Sequence, residues 1–182
     1  MHDNKIITAI STAPGVGGIA IVRVSGEGCF DLVDSIFVSP KEKKLKDAKA
    51  NTILFGSIIR DGSVLDEVLV SLFKSPHSFT GEDTVEIACH GSVYIQQSIL
   101  QLLVSKGASL AQPGEFTQRA FMNGKMDLSQ AESVADLIAS SSAATHRLAL
   151  NQMRGGFSNK LVDLRTELLN FTSLIELELD FS

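Results

Sequence analysis

The chain has 182 residues, of which 16 are Lys or Arg and 21 are Asp or Glu, so its formal net charge is 16 − 21 = −5. Because phosphate binding depends on a surplus of Lys and Arg, this balance argues against a nucleic-acid clamp over the whole surface and leaves room for a local basic site. The 44% of hydrophobic residues indicates a globular protein with a sizeable core, as one domain or as one domain with an accessory segment.

The cysteine content and the start of the chain indicate a cytoplasmic protein. Cys29 and Cys89 are the two cysteines of the sequence, too few for a disulfide scaffold, which favours a reducing compartment. Residues 1–5 are polar with no signal-peptide core behind them, and no apolar run approaches the roughly 18 residues of a membrane span. We therefore expect a cytoplasmic protein with no membrane partner.

Short strands and two helices are predicted for the first two thirds of the chain. The strand candidates are rich in β-branched residues, and Asp61-Gly62 between two of them is a strong hairpin signal. The lysine-rich run KEKKLKDAK at residues 41–49 has the composition of a solvated loop. The predicted strands are residues 6–11, 19–25, 52–59, 64–73 and 84–89, and the predicted helices are residues 29–38 and 92–106.

From Phe116 onward the pattern is helical. Ser129 and Glu132 have the spacing of a capping box, which predicts the start of a helix that runs towards Met153. A last helix carries apolar residues at spacings of three and four, which is typical of the packing seam of a helical bundle. These seam residues are Phe157, Leu161, Leu164, Leu168, Phe171 and Ile175.

The end of the last helix indicates an incomplete bundle. Three acidic residues lie where the helix dipole disfavours negative charge, and further leucines add more apolar surface than a two-helix hairpin covers. We expect the partner helices to come from a C-terminal region outside this chain or from another subunit. The acidic residues are Glu176, Glu178 and Asp180, and the added apolar residues are Leu174, Leu177, Leu179 and Phe181.

The glycine-rich stretch PGVGG at residues 14–18 does not fit a nucleotide-binding motif. A phosphate loop requires Lys followed by Ser or Thr after its second glycine, whereas Gly18 is followed by Ile19 and Ala20. The dinucleotide pattern also fails, since its third glycine is replaced by Ala20. We interpret the stretch as a tight connection between two strands.

Two opposite charges occur singly in apolar strands. Arg23 lies in the run IAIVRV and Glu86 in the run TVEIA, and a half-buried ionised group needs a partner because desolvating it alone is costly. One interpretation is a structural ion pair. The other is a pocket for a polar, planar ligand, in which the carboxylate accepts from an amino-pyrimidine edge and the guanidinium donates to an oxygen.

The remaining polar residues give weaker signals. Cys89 and His90 are adjacent on a strand and point to opposite faces, so we do not expect them to act together as nucleophile and base. The histidines have no metal-ligand spacing, so neither a metal site nor a catalytic residue is predicted. The polar loop at residues 78–83 precedes the Glu86 strand and is able to shape a pocket, whereas Lys125 alone reads as a surface lysine.

Several motifs occur in the order in which they occur in one known family, and they extend over nearly the whole chain. In these motifs the sequence resembles the N-terminal region of the tRNA-modification GTPases of the MnmE (TrmE) family. The motifs are APGVGG (13–18), IVRVSG (21–26), SFTGED (78–83), PGEFT (113–117), RAF (119–121), QAE (130–132) and ADLI (135–138), with Glu86, His90-Gly91, Asn123, Lys125 and Asp127-Leu128.

The resemblance implies a fold and a cofactor. It implies an α+β class: a mixed-sheet domain at residues 1–117, similar to the folate-binding domain of aminomethyltransferases, followed at residues 118–182 by the first part of a helical domain. The first domain is implied to form a homodimer and to bind 5-formyl-tetrahydrofolate. Arg23, Glu86 and Lys125 match the folate-binding positions; we assign the pterin amino edge to Glu86 and the polar or anionic parts to Arg23 and Lys125.

The resemblance also implies partners for the longer protein. A GTPase domain that binds GTP with Mg and K ions, the terminal helices and a C-terminal cysteine motif belong to the family but are absent from this sequence. Together with the flavoprotein MnmG, the parent is implied to modify the C5 position of the wobble uridine in tRNA. This chain alone is expected not to hydrolyse GTP and not to be catalytic.

Two other functions compete with this hypothesis. A free-standing folate-dependent one-carbon transferase would need an acid or base near the folate, for which the sequence offers only Glu86 and His90. A purely structural dimerisation module would use Arg23 and Glu86 only as an ion pair.

Overall fold

The computed structural model of the chain describes residues 5–40 and 43–180, and its first part is built on a seven-stranded sheet. The strands, numbered along the chain, are β1 (Ile7–Ile10), β2 (Ile19–Ser25), β3 (Phe37–Val38), β4 (Thr52–Arg60), β5 (Ser63–Phe73), β6 (Thr84–His90) and β7 (Ser109–Leu110). Their order across the sheet is β3-β4-β5-β6-β2-β1-β7. Since β7 pairs in parallel with β1 while the other pairs are antiparallel, the sheet is mixed.

Helices account for the rest of the regular structure, and the predicted α+β class is confirmed. They are α1 (Cys29–Asp34), α2 (Val93–Ser105), α3 (Glu115–Met122), α4 (Leu128–Ala139), α5 (Ala143–Met153) and α6 (Gly156–Asp180), with a turn of 3₁₀ helix at Leu45–Asp47. The prediction of one helix over residues 29–38 is wrong in its second half. The chain leaves α1 at Asp34, and Phe37 and Val38 instead pair with β4.

The long β4–β5 hairpin closes where the sequence predicts it. Asp61 and Gly62 both have positive φ, 50° and 76°, as a two-residue turn between right-twisted strands requires. Beyond the turn, Thr52 at the far end of β4 still pairs with Leu72. This register fixes which side chains of β5 face the core.

One face of the sheet forms the core together with α1 and α2. Val33 of α1 and Ile99 and Leu103 of α2 are fully buried against alternate residues of the central strands. Strand alternation explains the set, because every second side chain points to the same face. The strand residues are Ala20, Val22, Val24, Val68, Val70, Leu72, Val85, Ile87 and Cys89.

The opposite face, which we call the outer face, carries the other alternate residues. It includes Arg23 and Glu86, which are direct partners across β2 and β6. Large apolar side chains on it are between 48% and 71% exposed, so the described residues leave much of this face uncovered. These side chains are Ile19, Ile53, Phe55 and Leu69.

The chain divides into two compact units, and the division falls between Lys125 and Met126. The first unit therefore includes all of α3, and the predicted domain boundary at residue 117 lies inside that helix. Contacts hold α3 in the first unit: Arg119 pairs with Glu82, and the Asn123 side chain donates to the Thr80 carbonyl. The second unit consists of α4, α5 and α6.

The second unit departs from the prediction at two points. The N-cap of α4 is Asp127, whose capping box is completed by Gln130, so the predicted box at Ser129 and Glu132 is wrong. The predicted continuous helix to Met153 is interrupted at residues 140–142, where Ser142 caps the start of α5. A serine side chain that bonds the nearby backbone competes with helix continuation, which explains the break.

The predicted seam along α6 is exposed in the structure. Leu161, Leu164, Leu168 and Phe171 are each at least half exposed and Ile175 is 42% exposed, so the described residues leave much of this stripe uncovered. The side chains of Phe157 and residues 178–180, and all of residues 181 and 182, lie outside the described part. No described helix has the combination of length and apolar character that crossing a bilayer requires.

The Asp127 cap makes the stability of the second unit depend on pH. Its hydrogen bond from the Ser158 hydroxyl, and then its bond from the Gln130 backbone, hold the pKa of Asp127 below its ordinary value of 3.8. A group with a depressed folded pKa stabilises the fold above its unfolded pKa, and this contribution is lost as the pH falls through the folded pKa. We therefore predict that the capping contribution is complete at neutral pH and decreases below about pH 4.

Thermal unfolding followed by circular dichroism tests this. Asp127→Ala should lower the midpoint temperature of unfolding of the helical unit at pH 7. Because this variant has no capping contribution left to lose, acidification below pH 4 should lower its midpoint little further. Asp127→Asn is the matched control, since it keeps one side-chain oxygen as the acceptor for the Gln130 N–H and removes the titrating charge. Equal midpoints for Asp127→Ala and the parent chain at pH 7 would contradict the role of the cap.

Candidate functional site

Arg23 and Glu86 form an ion pair at the centre of the outer face. They are opposite each other on β2 and β6, and Arg23 Nε and Nη2 lie 2.9 and 2.8 Å from Glu86 Oε1. Each side chain is 24% exposed, so the pair is partly desolvated and still open to solvent. A pair in this setting is stronger than an exposed surface pair, which is usually worth little.

The pair leaves one carboxylate oxygen available. Both contacts from Arg23 end on Glu86 Oε1, and within the described residues no donor reaches Oε2. An ionised carboxylate accepts through both oxygens. Glu86 is therefore able to accept from a ligand without first losing Arg23.

Two phenylalanines flank the Arg23 guanidinium. Its central carbon lies 5.5 Å from the ring centroid of Phe79 and 5.4 Å from that of Phe116, both within the range of a cation–π contact. Phe79 comes from the loop before β6 and Phe116 from the first turn of α3. The site thus combines a carboxylate, a guanidinium and two aromatic rings, which suits a flat, polar heteroaromatic ligand.

A hydroxyl cluster holds the loop that carries Phe79. Ser25 Oγ lies 2.8 Å from Thr80 Oγ1 and donates to Glu82 Oε2 at 2.9 Å, and it lies 3.2 Å from Thr84 Oγ1. Ser25, Thr80 and Thr84 are all buried. Because hydroxyls donate and accept at once, they satisfy one another under the loop and fix its position.

Arg119 ties α3 to the same loop. Its Nη1 contacts Glu82 at 3.2 Å and its Nη2 contacts Glu115 at 3.0 Å, while its side chain is only 13% exposed. A planar guanidinium bound by two carboxylates is a rigid link. The link positions Phe116 within reach of Arg23.

Lys125 contacts the segment before β6 at other residues. Its Nζ donates to the Pro76 carbonyl oxygen at 2.9 Å, and its stem passes next to Gly81. Among the described residues no hydrogen bond joins Lys125 to Arg23 or Glu86. The structure thus brings two of the three predicted site residues together directly and connects the third only through the loop.

Sequence reasoning missed Phe116 and Arg119 as parts of this arrangement. Both lie in motif stretches, but neither residue type has a local pattern that indicates a partner about 90 or 40 positions away. The polar loop at residues 78–83 was expected to be able to shape a pocket, and its Phe79 does contact Arg23.

The other candidates form no nucleophilic centre. His90 Nδ1 lies 2.7 Å from Asp66 Oδ1, so its partner is Asp66 rather than Cys89. Burial raises the pKa of Cys89 to about 11, with the nearby Asp66 charge as a second cause, which leaves its thiol inert at neutral pH. Within residues 5–40 and 43–180 no three His, Cys, Asp or Glu side chains are placed to hold a metal ion.

A separate cavity lies in the helical unit. It has a volume of about 710 Å³ and is lined by residues of α4, α5 and α6, among them Leu128, Leu148 and Leu161. None of the predicted site residues lines it. Its polar lining has no grouping that indicates a particular reaction.

Comparison with known proteins agrees with this architecture. Residues 6–125 match the family described as "GTP-binding protein TrmE N-terminus", and residues 128–182 match the "MnmE helical domain". The two matches meet near the division between the compact units. The chain belongs to this family of tRNA modification GTPases.

Individual relatives are similar over nearly the whole chain. The tRNA modification GTPase MnmE of Parabacteroides distasonis is 66% identical over 97% of this chain and 39% of its own length. The proteins of the same name from Bacteroides thetaiotaomicron and Flavobacterium johnsoniae are 63% and 58% identical, over 97% and 100% of this chain and 38% and 39% of their own lengths. The chain thus spans about two fifths of the curated relatives it matches.

The geometry predicts a measurable coupling between Arg23 and Glu86. In a double-mutant cycle of Arg23→Ala, Glu86→Ala and the double variant, we expect an interaction free energy of about 1–2 kcal/mol, because each single change leaves a partly buried charge without its partner. Urea unfolding measures the difference in the free energy of unfolding between the parent chain and each of the three variants. Strictly additive effects would show that the pair does not stabilise the fold.

Proposed function

We propose that the Arg23–Glu86 site binds 5-formyl-tetrahydrofolate. The observation that carries this proposal is the Oε2 of the partly buried Glu86, which accepts no hydrogen bond from the described residues and lies beside an Arg23 guanidinium that contacts the rings of Phe79 and Phe116. A pterin presents N–H donors on one flat edge, and Glu86 Oε2 is an acceptor for such a donor while Oε1 stays bound to Arg23. The residues present therefore fit the group that the family resemblance implies.

Arg23 and Lys125 take the other parts of the ligand in this proposal. Arg23 donates to a pterin or formyl oxygen, and its Nη1, which has no hydrogen-bond partner among the described residues, makes such a contact compatible with the Glu86 pair. Lys125, whose Nζ donates to the Pro76 carbonyl oxygen of the loop, is assigned in this proposal to an anionic group of the ligand as a point charge. When bound, the folate would supply a one-carbon unit or serve a structural role.

Calorimetric titration with 5-formyl-tetrahydrofolate tests the site. Glu86→Ala should weaken binding at least tenfold, because a hydrogen bond to a charged group contributes roughly 1.5–3 kcal/mol and about 1.4 kcal/mol corresponds to a factor of ten. Lys125→Ala should have a smaller effect, since its interaction with the ligand is more exposed.

Two further variants make the titration decisive. Glu86→Gln keeps the shape of the side chain and one acceptor, so it separates loss of recognition from loss of the fold. Glu67→Ala removes an exposed carboxylate from the neighbouring strand β5 and should bind like the parent chain. Unchanged affinity in a folded Glu86→Ala or Glu86→Gln variant would refute the assignment.

For the longer protein we propose a cytoplasmic GTPase that modifies the C5 position of wobble uridine in tRNA together with the flavoprotein MnmG. The support is membership of a family whose relatives are named tRNA modification GTPases. GTP, Mg and K ions belong, in this proposal, to a GTPase domain outside the present sequence. The role of this chain is then cofactor binding and assembly rather than GTP hydrolysis.

The assembly role is homodimerisation through the first unit. Its support is the outer face, where Ile53, Phe55 and Leu69 form an uncovered apolar surface on adjacent strands. Exposed apolar patches of this kind mark association surfaces in water-soluble proteins. A self-complementary sheet face suits a two-fold dimer.

Sedimentation velocity tests the dimer and its surface. The parent chain should sediment as a dimer, and Phe55→Glu combined with Leu69→Glu should shift it to monomer, because two charges would be buried without partners. Val104→Glu on α2, an exposed apolar residue outside this face, is the control and should leave the dimer intact. A dimer that survives the double change would exclude this face as the interface.

A further inference from the structure

The segment between β3 and β4 gathers much of the positive charge of an acidic protein. Lys43, Lys44, Lys46 and Lys49 lie within seven residues, and Lys74 directly after β5 joins them through a hydrogen bond from its Nζ to the Lys46 carbonyl oxygen at 3.1 Å. We call these five residues the lysine surface. They are half of the ten lysines in the chain.

The lysine surface is held in place by the fold. Leu45 is fully buried in the core, and its backbone N–H donates to both carboxylate oxygens of Asp34 at 2.9 and 3.0 Å. The Nζ of Lys74 also lies 5.9 Å from the ring centroid of Phe30. Since these contacts fix the backbone, binding to the lysines would cost less ordering entropy than binding to a free loop.

The charge of this region has the opposite sign to the rest of the chain. Three aspartates lie beside the five lysines, which gives a local charge of 5 − 3 = +2 and leaves −5 − 2 = −7 for all other residues. Asp34 is already engaged by the Leu45 N–H, and Asp31 forms an ion pair with Lys46 at 3.3 Å. The aspartates are Asp31, Asp34 and Asp47.

The residue types indicate what this surface is suited to bind. Lysine side chains are flexible point charges that bind phosphate groups without distinguishing the bases. Arg, which makes bidentate hydrogen bonds to base edges, is absent from residues 43–49 and from position 74. A segment that enters a lipid surface would also present large apolar side chains. Within residues 43–49 the large apolar residue is Leu45, and it is buried.

From these observations we infer that the lysine surface is a docking site for the phosphate backbone of a folded RNA. The inference rests on the proposed role in tRNA modification for the choice of RNA as the polyanion. It adds a contact surface on the first unit that is separate from the Arg23–Glu86 site in its residues and in its chemistry. Binding of this kind is independent of base sequence and falls steeply with salt.

The test measures binding of the chain to bulk transfer RNA by fluorescence anisotropy over a series of KCl concentrations. Lys44→Gln with Lys49→Gln should weaken binding about fivefold or more at low salt and should reduce the slope of log K against log salt by one to two units. Lys106→Gln with Lys160→Gln is the matched control. It removes the same charge from two other exposed lysines and should leave the slope unchanged.

Three results would overturn the inference: no binding by the parent chain at low salt, no loss in the Lys44/Lys49 variant, or an equal loss in both variants. A Lys44/Lys49 variant that keeps RNA binding but no longer binds phosphatidylserine–phosphatidylcholine vesicles would assign the surface to a membrane instead. Folate titration of the same samples reports on the Arg23–Glu86 site separately. Failure of RNA docking with folate binding retained therefore counts against the lysine surface alone.

Discussion

The cross-strand contact between Arg23 and Glu86 is the constraint on which the outer face depends. Because side chains alternate along a strand, a shift of β6 by one residue relative to β2 would turn Glu86 to the core side beside Val22 and Val24 and leave Arg23 without its partner. The cost of burying an unpaired carboxylate there selects a single register. The same register then brings Ser25 opposite Thr84 and so creates the hydroxyl cluster that holds the loop over the site.

The pair also explains how a recognition site stays folded without a ligand. Arg23 is neutralised by Glu86 and flanked by Phe79 and Phe116, so the partly desolvated guanidinium has its partners within the chain. Glu86 Oε2 has no partner among the described residues, and the Glu86 side chain is still partly exposed, so this oxygen is open to a ligand. Rigidity around it comes from Arg119, which is bound between two carboxylates. Such a preformed site needs little rearrangement on binding.

Local sequence patterns predicted the strands and turns that depend on local chemistry. They failed for the elements whose formation depends on tertiary contacts. The β-branched runs and the Asp61-Gly62 turn predicted the central strands and the hairpin, which are confirmed. Two-residue strands such as β3 and β7 have no periodicity to detect and exist only because a neighbouring strand pairs with them. The cap at Asp127 was misplaced by two residues because Ser129 has an equally plausible spacing; the Ser158 contact favours Asp127.

The sequence by itself determined the α+β class, the family, and the need of Arg23 and Glu86 for partners. The family follows from the order of the motifs, the α+β class from the resemblance that these motifs carry, and the need for partners from the cost of an isolated charge in an apolar strand. Only the tertiary structure decided that the two charges meet, that Phe79 and Phe116 flank them, and that Lys125 contacts the loop instead of the pair. It also showed that residues 43–49, part of a lysine-rich run predicted as a solvated loop, are anchored by the buried Leu45. The physical reason is that these contacts join residues far apart in sequence, whose distances only chain packing sets.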